Sequence, residues 1–299
     1  MNKSNIVVII VNFNGLEDTI ECIYSIKKSS VTVDIFVVDN YSSNDEACIL
    51  KEKFDDIITF RSYKNLGFSG GNNIGIKWAI DKGYEYVLLL NNDTIIDAEM
   101  IENLLKVSDE NTVAVPCMYY FNTPEMIWYG GGDVNRKTGA VIHYFENTRQ
   151  VLLKRKKCTF ATGCCLMLHK KILNTVGLLD DSYFMYFEDV DYSIRVIQND
   201  FNIVMEPRAK LWHKIGMSSG GEYSPLSIYY STRNRLYNIR KHKDFFLFSA
   251  YYYTLYSRII KCVFKVINRE KIWKLYLSAI KDYYHGNMGK VDIEKRNRW

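Results

Sequence analysis

A run of six aliphatic residues near the N-terminus, at positions 6–11, limits what this chain can fold into. A strand that faces water on one side alternates apolar with polar residues, whereas an unbroken β-branched run is typical of a strand covered on both faces of a parallel sheet. Further short apolar runs occur at 33–39, 57–61, 86–90 and 112–115, and helix-length segments separate them at 15–28, 43–53, 69–82 and 97–108. This alternation predicts an α/β fold with a mostly parallel central sheet and flanking helices.

The composition is that of a globular protein. Of the 299 residues, 47% are hydrophobic and only four are proline, which excludes disordered, fibrous and collagen-like classes. The seven cysteines form an odd set without a C-x-x-C pair, and this indicates a reducing compartment. Because the apolar run at 6–11 is also too short for the core of a signal peptide, we expect a cytoplasmic protein.

Positive charge is concentrated in the C-terminal part. Residues 233–299 contain 16 Lys and Arg against five Asp and Glu, whereas residues 1–232 carry more acid than base. No stretch has the roughly 18 uninterrupted apolar residues that a spanning helix needs, and the apolar segment at 245–257 ends at Arg258. We therefore predict a helical, basic and aromatic tail over 241–299 that lies on an anionic membrane surface, at the inner face of the cell membrane, without crossing it.

Other accounts of the tail remain open. Aromatic residues at helical spacing are usually core residues, so the tail could pack on the domain or on a second subunit of a homo-oligomer while its basic residues stay solvated. Nucleic acid is not predicted as a partner, because no nucleic-acid-binding motif accompanies the positive charge.

Polar residues follow the predicted strands at their carboxyl ends, where ligands bind in an open parallel sheet. In chain order they are Asn12 and Asn14, Asp39 and Asn40, Asn65, and Asn91-Asn92-Asp93. Turns and helix caps explain any one of these residues, since Asn and Asp favour both. Their recurrence after four successive strands instead predicts a binding site along one edge of the sheet.

The segment 65–75 combines four glycines with small polar residues at the start of a predicted helix, an arrangement that lets a backbone approach an anion. It is neither a Walker loop nor a G-x-G-x-x-G fingerprint, and tight helix packing is the commoner reason for such glycines. Asp93 follows a buried strand, where a divalent cation that bridges substrate phosphates would find an oxygen ligand. Capping of the next helix is the alternative for Asp93.

Three acids, Glu188, Asp189 and Asp191, occupy one turn of another predicted helix. The helix macrodipole favours acids near its start, but clustered like charges are costly unless cations or substrate engage them. His213 follows an apolar stretch and is a candidate ligand of a metal or a diphosphate, although a lone histidine is more often structural.

Taken in order, these motifs resemble the motif series of glycosyltransferase family 2, especially its bacterial rhamnosyltransferase-like branch. The resemblance covers about residues 5–240, and its specificity comes from the whole series rather than from any single motif. The matching segments are Val11-Asn12-Phe13-Asn14-Gly15, Val38-Asp39-Asn40, 65–75, Leu90-Asn91-Asn92-Asp93, Gly177-Leu178-Leu179-Asp180, 184–191, Trp212-His213-Lys214 and Tyr230-Ser231-Thr232-Arg233-Asn234.

The resemblance implies a GT-A, Rossmann-like domain over residues 1–240, followed by the tail at 241–299. Its nucleotide-binding part would span about 1–115, and its acceptor and catalytic part about 116–240. The implied reaction is the transfer of a sugar from a nucleotide-sugar donor to a hydroxyl, with inversion at the anomeric carbon.

The family's functional positions can be carried over only where the motifs match. Asp189 would be the general base, beside its acidic neighbour Glu188. Asp93, with His213, would hold Mg²⁺ or Mn²⁺ on the diphosphate. The implied contacts to the nucleotide-sugar are Asn12, Asn14, Asp39 on the base, Asn65, Gly70, Gly71, Asn73, Asn92 and Arg233. Many members of the family carry Asp-x-Asp where this chain has Asn91-Asn92-Asp93, so this chain lacks the first acid of that motif.

The branch resembled implies dTDP-L-rhamnose as the donor and a polyprenyl-diphosphate-linked glycan of surface polysaccharide biosynthesis as the acceptor. UDP-hexose and UDP-galactofuranose remain alternative donors. A nucleotidyltransferase would share the α/β scaffold, but it would be expected to have a G-x-G-T-R loop after the first strand, where this chain has Asn12-Phe13-Asn14-Gly15. A non-catalytic membrane scaffold is the alternative from another class. The mechanism requires Asp93 and Asp189 to converge on opposite ends of the bond that breaks.

Overall fold

The computed structural model describes residues 5–214 and 224–293. In the first part of the chain, strands and helices alternate as the sequence predicts. They are β1 (Ile6–Asn12), α1 (Leu16–Lys27), β2 (Asp34–Asp39), α2 (Glu46–Lys53), β3 (Ile58–Arg61), α3 (Gly67–Asp81), β4 (Tyr86–Asn91), β5 (Thr94–Ile96), α4 (Met100–Leu105) and β6 (Thr112–Tyr120). The largest differences from the predicted bounds are that α2 begins three residues after position 43, α4 is shorter than the segment 97–108, and β6 continues five residues beyond position 115.

Shorter strands and two helices complete the sheet region. They are β7 (Thr123–Tyr129), β8 (Gly132–Val134), β9 (Val141–His143), β10 (Lys156–Cys158), β11 (Cys165–His169), α5 (Lys170–Val176), α6 (Glu188–Gln198) and β12 (Asn202–His213). The main sheet has the order β10-β12-β6-β11-β4-β1-β2-β3, with β5 on β12 and β7 on β6. Six of these strands, from β3 to β12, run in one direction, while β11 lies antiparallel between β4 and β6. The mostly parallel central sheet is confirmed.

The register of the parallel strands brings their polar ends to one edge. Asn12 at the end of β1 pairs with Asp39 at the end of β2, and Asp39 pairs with Arg61 at the end of β3. On the other side of β1, Val11 pairs with Asn91, the last residue of β4. The carboxyl ends of these strands therefore form the single edge that the sequence predicts.

Three helices follow the sheet, namely α7 (Pro225–Lys241), α8 (Phe248–Ile267) and α9 (Trp273–His285). Helix α7 begins with proline at its first turn, and the Ser224 hydroxyl caps it by accepting the N–H of Ser227 at 3.1 Å. The predicted helical character of the tail is thus confirmed for its described residues. Across residues 5–214 and 224–293, no helix is long and apolar enough to span a bilayer. All seven cysteines lie in this part of the chain and are free thiols.

Two glycines of α3, Gly71 and Gly75, lie one turn apart on the face that packs on β1. A Cβ atom on Gly71 would lie 2.8 Å from Cγ1 of Val11, and one on Gly75 would lie 2.5 Å from Cγ2 of Ile9. Neither position has room for a methyl group. At these two positions, tight packing of helix on strand explains the glycines.

Gly75→Ala is expected to lower the free energy of unfolding by about 1–2 kcal/mol. Overpacking a core contact costs about 1–3 kcal/mol, and this outweighs the gain of up to about 1 kcal/mol in helix propensity because Ile9 is fully buried and β-branched. Urea denaturation would measure the change. Lys77→Ala, at an exposed position of the same helix, is the control and should have little effect. A Gly75→Ala protein as stable as the wild type would contradict this account.

Candidate active site

Residues 120 positions apart meet where β5 pairs with β12. His213 pairs with Thr94, the neighbour of Asp93, and its Nε2 lies 3.1 Å from Oδ1 of Asp93. We call these two residues the metal pair. Both side chains are buried, and Nδ1 of His213 has no hydrogen-bond partner in the described structure. Burial alone would lower the pKa of His213, but interactions with Cys164 and Asp93 outweigh it and raise the pKa to about 10.

The metal pair suits a divalent cation that is bound together with substrate phosphates. Magnesium and manganese in such sites use few protein ligands, and phosphate oxygens and water fill the other positions. The carboxylate oxygen and the imidazole nitrogen are adjacent, so one ion can contact both. No group of three His, Cys, Asp or Glu side chains within the described residues is arranged to hold a metal alone. The two side chains could supply part of the ligand set of a divalent cation, with the other ligands from water or a substrate.

Glu188 and Asp189, which we call the acid pair, begin helix α6. The loop before them, at 184–187, has an uncommon backbone: Phe184, Tyr186 and Phe187 have φ values of 65°, 65° and 74°. Bulky residues rarely occupy this left-handed region, so the surrounding structure must hold the loop in place. The direction in which α6 begins depends on this loop.

Main-chain N–H groups hold the Asp189 carboxylate, and Asp189 itself is half-buried. Oδ2 of Asp189 accepts the main-chain N–H of Gly163 at 3.0 Å, and Oδ1 accepts the N–H of Val190 at 2.8 Å. Glu188 is buried, and its Oε2 has no partner among residues 5–214 and 224–293. Burial and the charge of Asp189 raise the pKa of Glu188 well above its usual range, and burial raises the pKa of Asp189 despite its two N–H donors. Raised carboxyl pKa values are typical of acid–base sites.

The dipeptide Gly163-Cys164 connects the acid pair with the metal pair. Gly163 donates its N–H to Asp189, and the carbonyl of Cys164 accepts the N–H of Asn91 at 2.9 Å, two residues before Asp93. The Cys164 side chain lies beside the imidazole of the metal pair. The two pairs, which are far apart in sequence, therefore contact the same short loop.

Asp191, the third acid of the turn, faces different partners. It is fully buried, and its carboxylate binds Nε of Arg195 at 2.8 Å, Nζ of Lys241 at 2.5 Å and Nε2 of His242 at 2.8 Å. Burial alone would raise the pKa of Asp191, but these cationic and hydrogen-bonding partners lower it to about 2. Asp191 therefore anchors α6 to the end of α7.

Asp39 and Asn14 lie around one turn at the edge of the sheet. Asp39 is fully buried; its Oδ1 accepts the N–H of Ser42 at 2.9 Å, and its Oδ2, 3.7 Å from Nε of Arg61, makes no hydrogen bond within the described structure. Asn14 donates its N–H to the Ser42 hydroxyl at 2.8 Å, and its side-chain oxygen accepts the N–H of Ser43 at 2.8 Å. The turn thus leaves one carboxylate oxygen of Asp39 for a ligand.

Asn12 and Asn92 have partners within the fold. Nδ2 of Asn12 donates to Glu46 at 2.6 Å, and its Oδ1 accepts the hydroxyl of Thr19 at 2.8 Å. Asn92 donates to the same hydroxyl oxygen at 3.0 Å. The two amides therefore join the ends of β1 and β4 to helices α1 and α2.

The start of the glycine-rich segment is held by two asparagines. Oδ1 of Asn65 accepts the N–H of Gly67 at 2.8 Å. Asn40 holds the same turn, since its Nδ2 donates to the carbonyl of Gly67 and its Oδ1 accepts the N–H of Leu66, both at 2.9 Å. Sequence reasoning placed Asn40 at the edge of the sheet but did not foresee this role, because its partners are main-chain groups.

Further along α3, the other predicted donor contacts also pack within the protein. Asn73 donates to the carbonyl of Leu179 at 2.8 Å and accepts its N–H at 3.0 Å, which ties α3 to the segment that follows α5. A Cβ on Gly70 would lie 2.6 Å from Cβ of Leu66, and Gly71 packs on β1. In the structure, Asn73 therefore makes hydrogen bonds within the fold, and Gly70 and Gly71 allow close packing.

From the sequence we expect Arg233 to contact the diphosphate of the donor, but the structure places its side chain elsewhere. It is fully buried in α7, and its guanidinium donates to the main-chain carbonyls of Asn287 at 3.3 Å, Gly289 at 3.0 Å and Tyr183 at 3.4 Å. Because these contacts lie behind the loop 184–187, the guanidinium supports the site from within the protein.

Two contributors to the site, Gly163 and Asn234, were not among the site residues predicted from the sequence, although Asn234 lies in a matching motif. Gly163 acts through its main-chain N–H, and Asn234 donates to main-chain carbonyls of the loop before α6. Such roles depend on backbone atoms of distant residues, which no spacing pattern encodes.

Comparison with known proteins identifies the family. The model of Glycosyl transferase family 2 matches residues 7–177, which is more than half of the chain. The chain belongs to glycosyl transferase family 2. It is therefore a glycosyltransferase, and the resemblance drawn from its ordered motifs is confirmed.

Individual relatives of this glycosyltransferase support the same assignment. The low-salt glycan biosynthesis hexosyltransferase Agl10 of Haloferax volcanii is 29% identical over 237 residues, which cover 76% of this chain and 73% of the relative. The dTDP-rhamnosyl transferase RfbF of Shigella flexneri is 25% identical over 252 residues, with coverages of 80% and 81%. The crystal structure of GalNAc-T7 with UDP, GalNAc and Mn²⁺ superposes with a TM-score of 0.64 at 18% identity, over 80% of this chain and 48% of that one. The fold is GT-A, and this chain spans about half of that structure.

Asp191→Asn is expected to lower the free energy of unfolding at pH 7 by about 3 kcal/mol, because removing one partner of a buried ion pair leaves its cations uncompensated. The pKa of Asp191 is about 2 in the folded state, below its ordinary value of 3.8. The carboxylate's contribution is therefore complete above about pH 4 and is lost as the pH falls towards 2. Denaturation at several pH values should show the difference from wild type shrinking over that window.

The exposed carboxylate of Asp56, which pairs with Lys27 at the surface, provides the control. Asp56→Asn should change stability little, since surface ion pairs contribute little. A pH-independent difference between Asp191→Asn and wild type would show that the buried carboxylate is not its source.

Proposed function

We propose that this glycosyltransferase is an inverting enzyme that transfers L-rhamnose from dTDP-L-rhamnose to a hydroxyl of a lipid-linked glycan. The observation that carries the proposal is the contact of Gly163-Cys164 with the acid pair on one side and the metal pair on the other. Inversion needs a base for the acceptor hydroxyl and a stabiliser for the leaving diphosphate. The two pairs supply these two groups around one loop.

Asp189 is the proposed general base. The acceptor oxygen attacks the anomeric carbon from the face opposite the diphosphate, the bond from that carbon to the diphosphate oxygen breaks, and the hydroxyl proton passes to the Asp189 carboxylate. Its raised pKa suits this task, because a carboxylate whose pKa lies nearer neutrality is a stronger acceptor of protons. Glu188 lies beside it as a second buried carboxyl.

Asp93 and His213 are the proposed protein ligands of Mg²⁺ or Mn²⁺. Bound there, the cation supplies Lewis-acid stabilisation of the charge that develops on the leaving diphosphate. The presence of Mn²⁺ with UDP in the GalNAc-T7 structure supports a divalent cation. With Asn91 in place of the first acid, His213 is the proposed second protein ligand, and its Nε2 would give up its proton when the cation binds.

Asp39 is the proposed contact to the nucleotide base. Its Oδ2, which makes no hydrogen bond within the described residues, suits the ring N–H of thymine or uracil, since a carboxylate only accepts hydrogen bonds. The name of the relative RfbF, a dTDP-rhamnosyl transferase, favours thymidine diphosphate and rhamnose. Asn14, Asn65 and Asn92, which keep part of their surface accessible, are the proposed further donor contacts.

Asp189→Asn is expected to reduce turnover about 10²- to 10⁴-fold, the usual size of a general-base contribution, while the KM of the donor changes little. The measurement is release of nucleoside diphosphate from dTDP-L-rhamnose, UDP-hexoses and UDP-galactofuranose, with Mn²⁺ or with EDTA. Asp81→Asn, which alters an exposed carboxylate at the end of α3, should behave as wild type. Undiminished turnover of Asp189→Asn would remove the proposed base, and a complete lack of turnover with every donor would favour the non-catalytic scaffold.

Helix α8 is the proposed membrane-binding element, which would bring the active site to a lipid-linked acceptor. Its exposed face carries an apolar row at helical spacing, which consists of Phe248, Tyr252, Tyr256, Ile260, Phe264 and Ile267. Ile260 is 67% exposed and Phe264 60% exposed. An amphipathic helix of this kind is typical of interfacial binding.

Charge favours an anionic membrane over a second copy of the chain. Residues 245–281 contain seven Lys and Arg and a single acid, Glu270. Two copies would bring like charges together along this face, whereas anionic headgroups would be attracted by about 1 kcal/mol per basic residue near the surface. The proposed location is therefore the cytoplasmic face of the cell membrane, as a peripheral protein.

The double variant Ile260→Ser and Phe264→Ser is expected to lower binding to vesicles of phosphatidylglycerol and phosphatidylcholine more than tenfold, because each apolar side chain contributes about 1.5–3 kcal/mol on burial. Cosedimentation would measure the loss, and wild-type binding should fall with salt and with neutral vesicles. Leu153→Ser, at a residue 84% exposed outside the tail, is the matched control and should bind as wild type. If the wild-type protein did not bind vesicles but formed a dimer that the double variant disrupted, the partner of this helix would be a second copy of the chain and not a membrane.

A further inference from the structure

The loop 184–187 is held from two sides by hydrogen bonds to its main chain. On one side, the N–H of Phe68 at the start of α3 donates to the carbonyl of Phe184 at 2.7 Å. On the other side, the side-chain amide of Asn234 in α7 donates to the carbonyls of Tyr183 at 3.0 Å, Met185 at 2.8 Å and Tyr186 at 2.8 Å. Four consecutive carbonyls ahead of the acid pair are thus satisfied by groups outside the loop.

These contacts coincide with the left-handed backbone of the loop. A loop whose bulky residues have positive φ does not keep that shape by its own preference. Asn234 has no exposed surface, so its amide is committed to the loop. The loop runs directly into α6, and its shape sets where Glu188 and Asp189 begin.

Arg233 holds Asn234 in place and so supports the loop through it. Its Nε donates to Oδ1 of Asn234 at 3.0 Å, which fixes the orientation of the amide towards the loop. Its Nη1 donates to the carbonyls of Asn287 and Gly289 beyond α9, and the N–H of Gly289 donates to the carbonyl of Ser182 at 2.8 Å. The end of the tail is therefore part of the same network.

We propose that Arg233 and Asn234 are positioning residues for the general base: Asn234 clamps the loop 184–187, and Arg233 orients Asn234 and ties the segment 287–289 to it. This inference rests on the proposed role of Asp189. It assigns to the segment 287–289 a supporting part in the arrangement of the general base, in addition to any contact of the tail with a membrane. A small displacement of a catalytic group is enough to cost about 100-fold in rate.

The test is a comparison of Asn234→Ala with Asn238→Ala in the full chain. Asn238 is a second fully buried asparagine, one turn further along α7. It accepts the Tyr183 hydroxyl at 2.8 Å and, among the described residues, makes no hydrogen bond to the main chain of the loop. Asn234→Ala should lower kcat about 10- to 100-fold with the donor KM within about threefold of wild type. Asn238→Ala should leave both within about threefold.

Amide hydrogen exchange tests the clamp by Asn234 independently of the proposed role of Asp189. Peptides that cover 183–191 should exchange faster in Asn234→Ala than in wild type or Asn238→Ala. If Asp189→Asn keeps full turnover, the proposed base is wrong, yet faster exchange in Asn234→Ala would still establish the clamp. Unchanged exchange and unchanged kcat in Asn234→Ala would overturn it.

If Asn234→Ala does not fold, Arg233→Lys provides a second test. Lysine keeps the charge, but its single nitrogen cannot donate to Asn234 and to the carbonyls at 287 and 289 in the fixed geometry of a guanidinium. A positioning role predicts a lower kcat at an unchanged donor KM. A raised donor KM at an unchanged kcat would instead show that Arg233 binds the diphosphate, and it would overturn the assignment.

Discussion

The antiparallel pairing of β11 with β4 is the contact on which the active site depends. Its register places Cys165 opposite Leu90, and the next main-chain bond joins Cys164 to Asn91. From there the chain reaches Gly163, whose N–H holds Asp189. This register therefore sets where Gly163 and Asn91, and with them the two pairs, lie relative to each other.

The acids of α6 show how one helical turn combines stability with chemistry. Asp191 has three basic partners and stabilises the fold, whereas Glu188 and Asp189 have no cationic partner among their hydrogen bonds, and desolvation raises the pKa of both. A carboxyl group that is costly to ionise in the folded protein is also one that takes up a proton readily. The partners of each carboxylate, rather than its position in the sequence motif, separate the structural acid from the two proposed for catalysis.

Two parts of the tail face in different directions. The segment beyond α9 packs inward on Arg233 and the loop before the acid pair, while α8 presents apolar side chains outward. The composition of the tail predicts a membrane-bound segment and leaves packing on the domain open, because charge and aromatic content are averages over the segment. Hydrogen bonds from Arg233 and Gly289 reveal the inward role, which leaves no mark on composition.

The sequence alone determined the alternating strands and helices, the edge of the sheet at which Asn12, Asp39 and Asn91 meet, and the family, since periodicity and ordered motifs are local properties of the chain. It also placed the acids at 93 and 189 as candidates. The tertiary structure decided that Gly70 and Gly71 serve packing, that Asp191 is an anchor, and that Arg233 lies behind the site. These outcomes depend on main-chain carbonyls and N–H groups brought together from distant segments, and because every residue carries the same main-chain groups, no sequence motif distinguishes them.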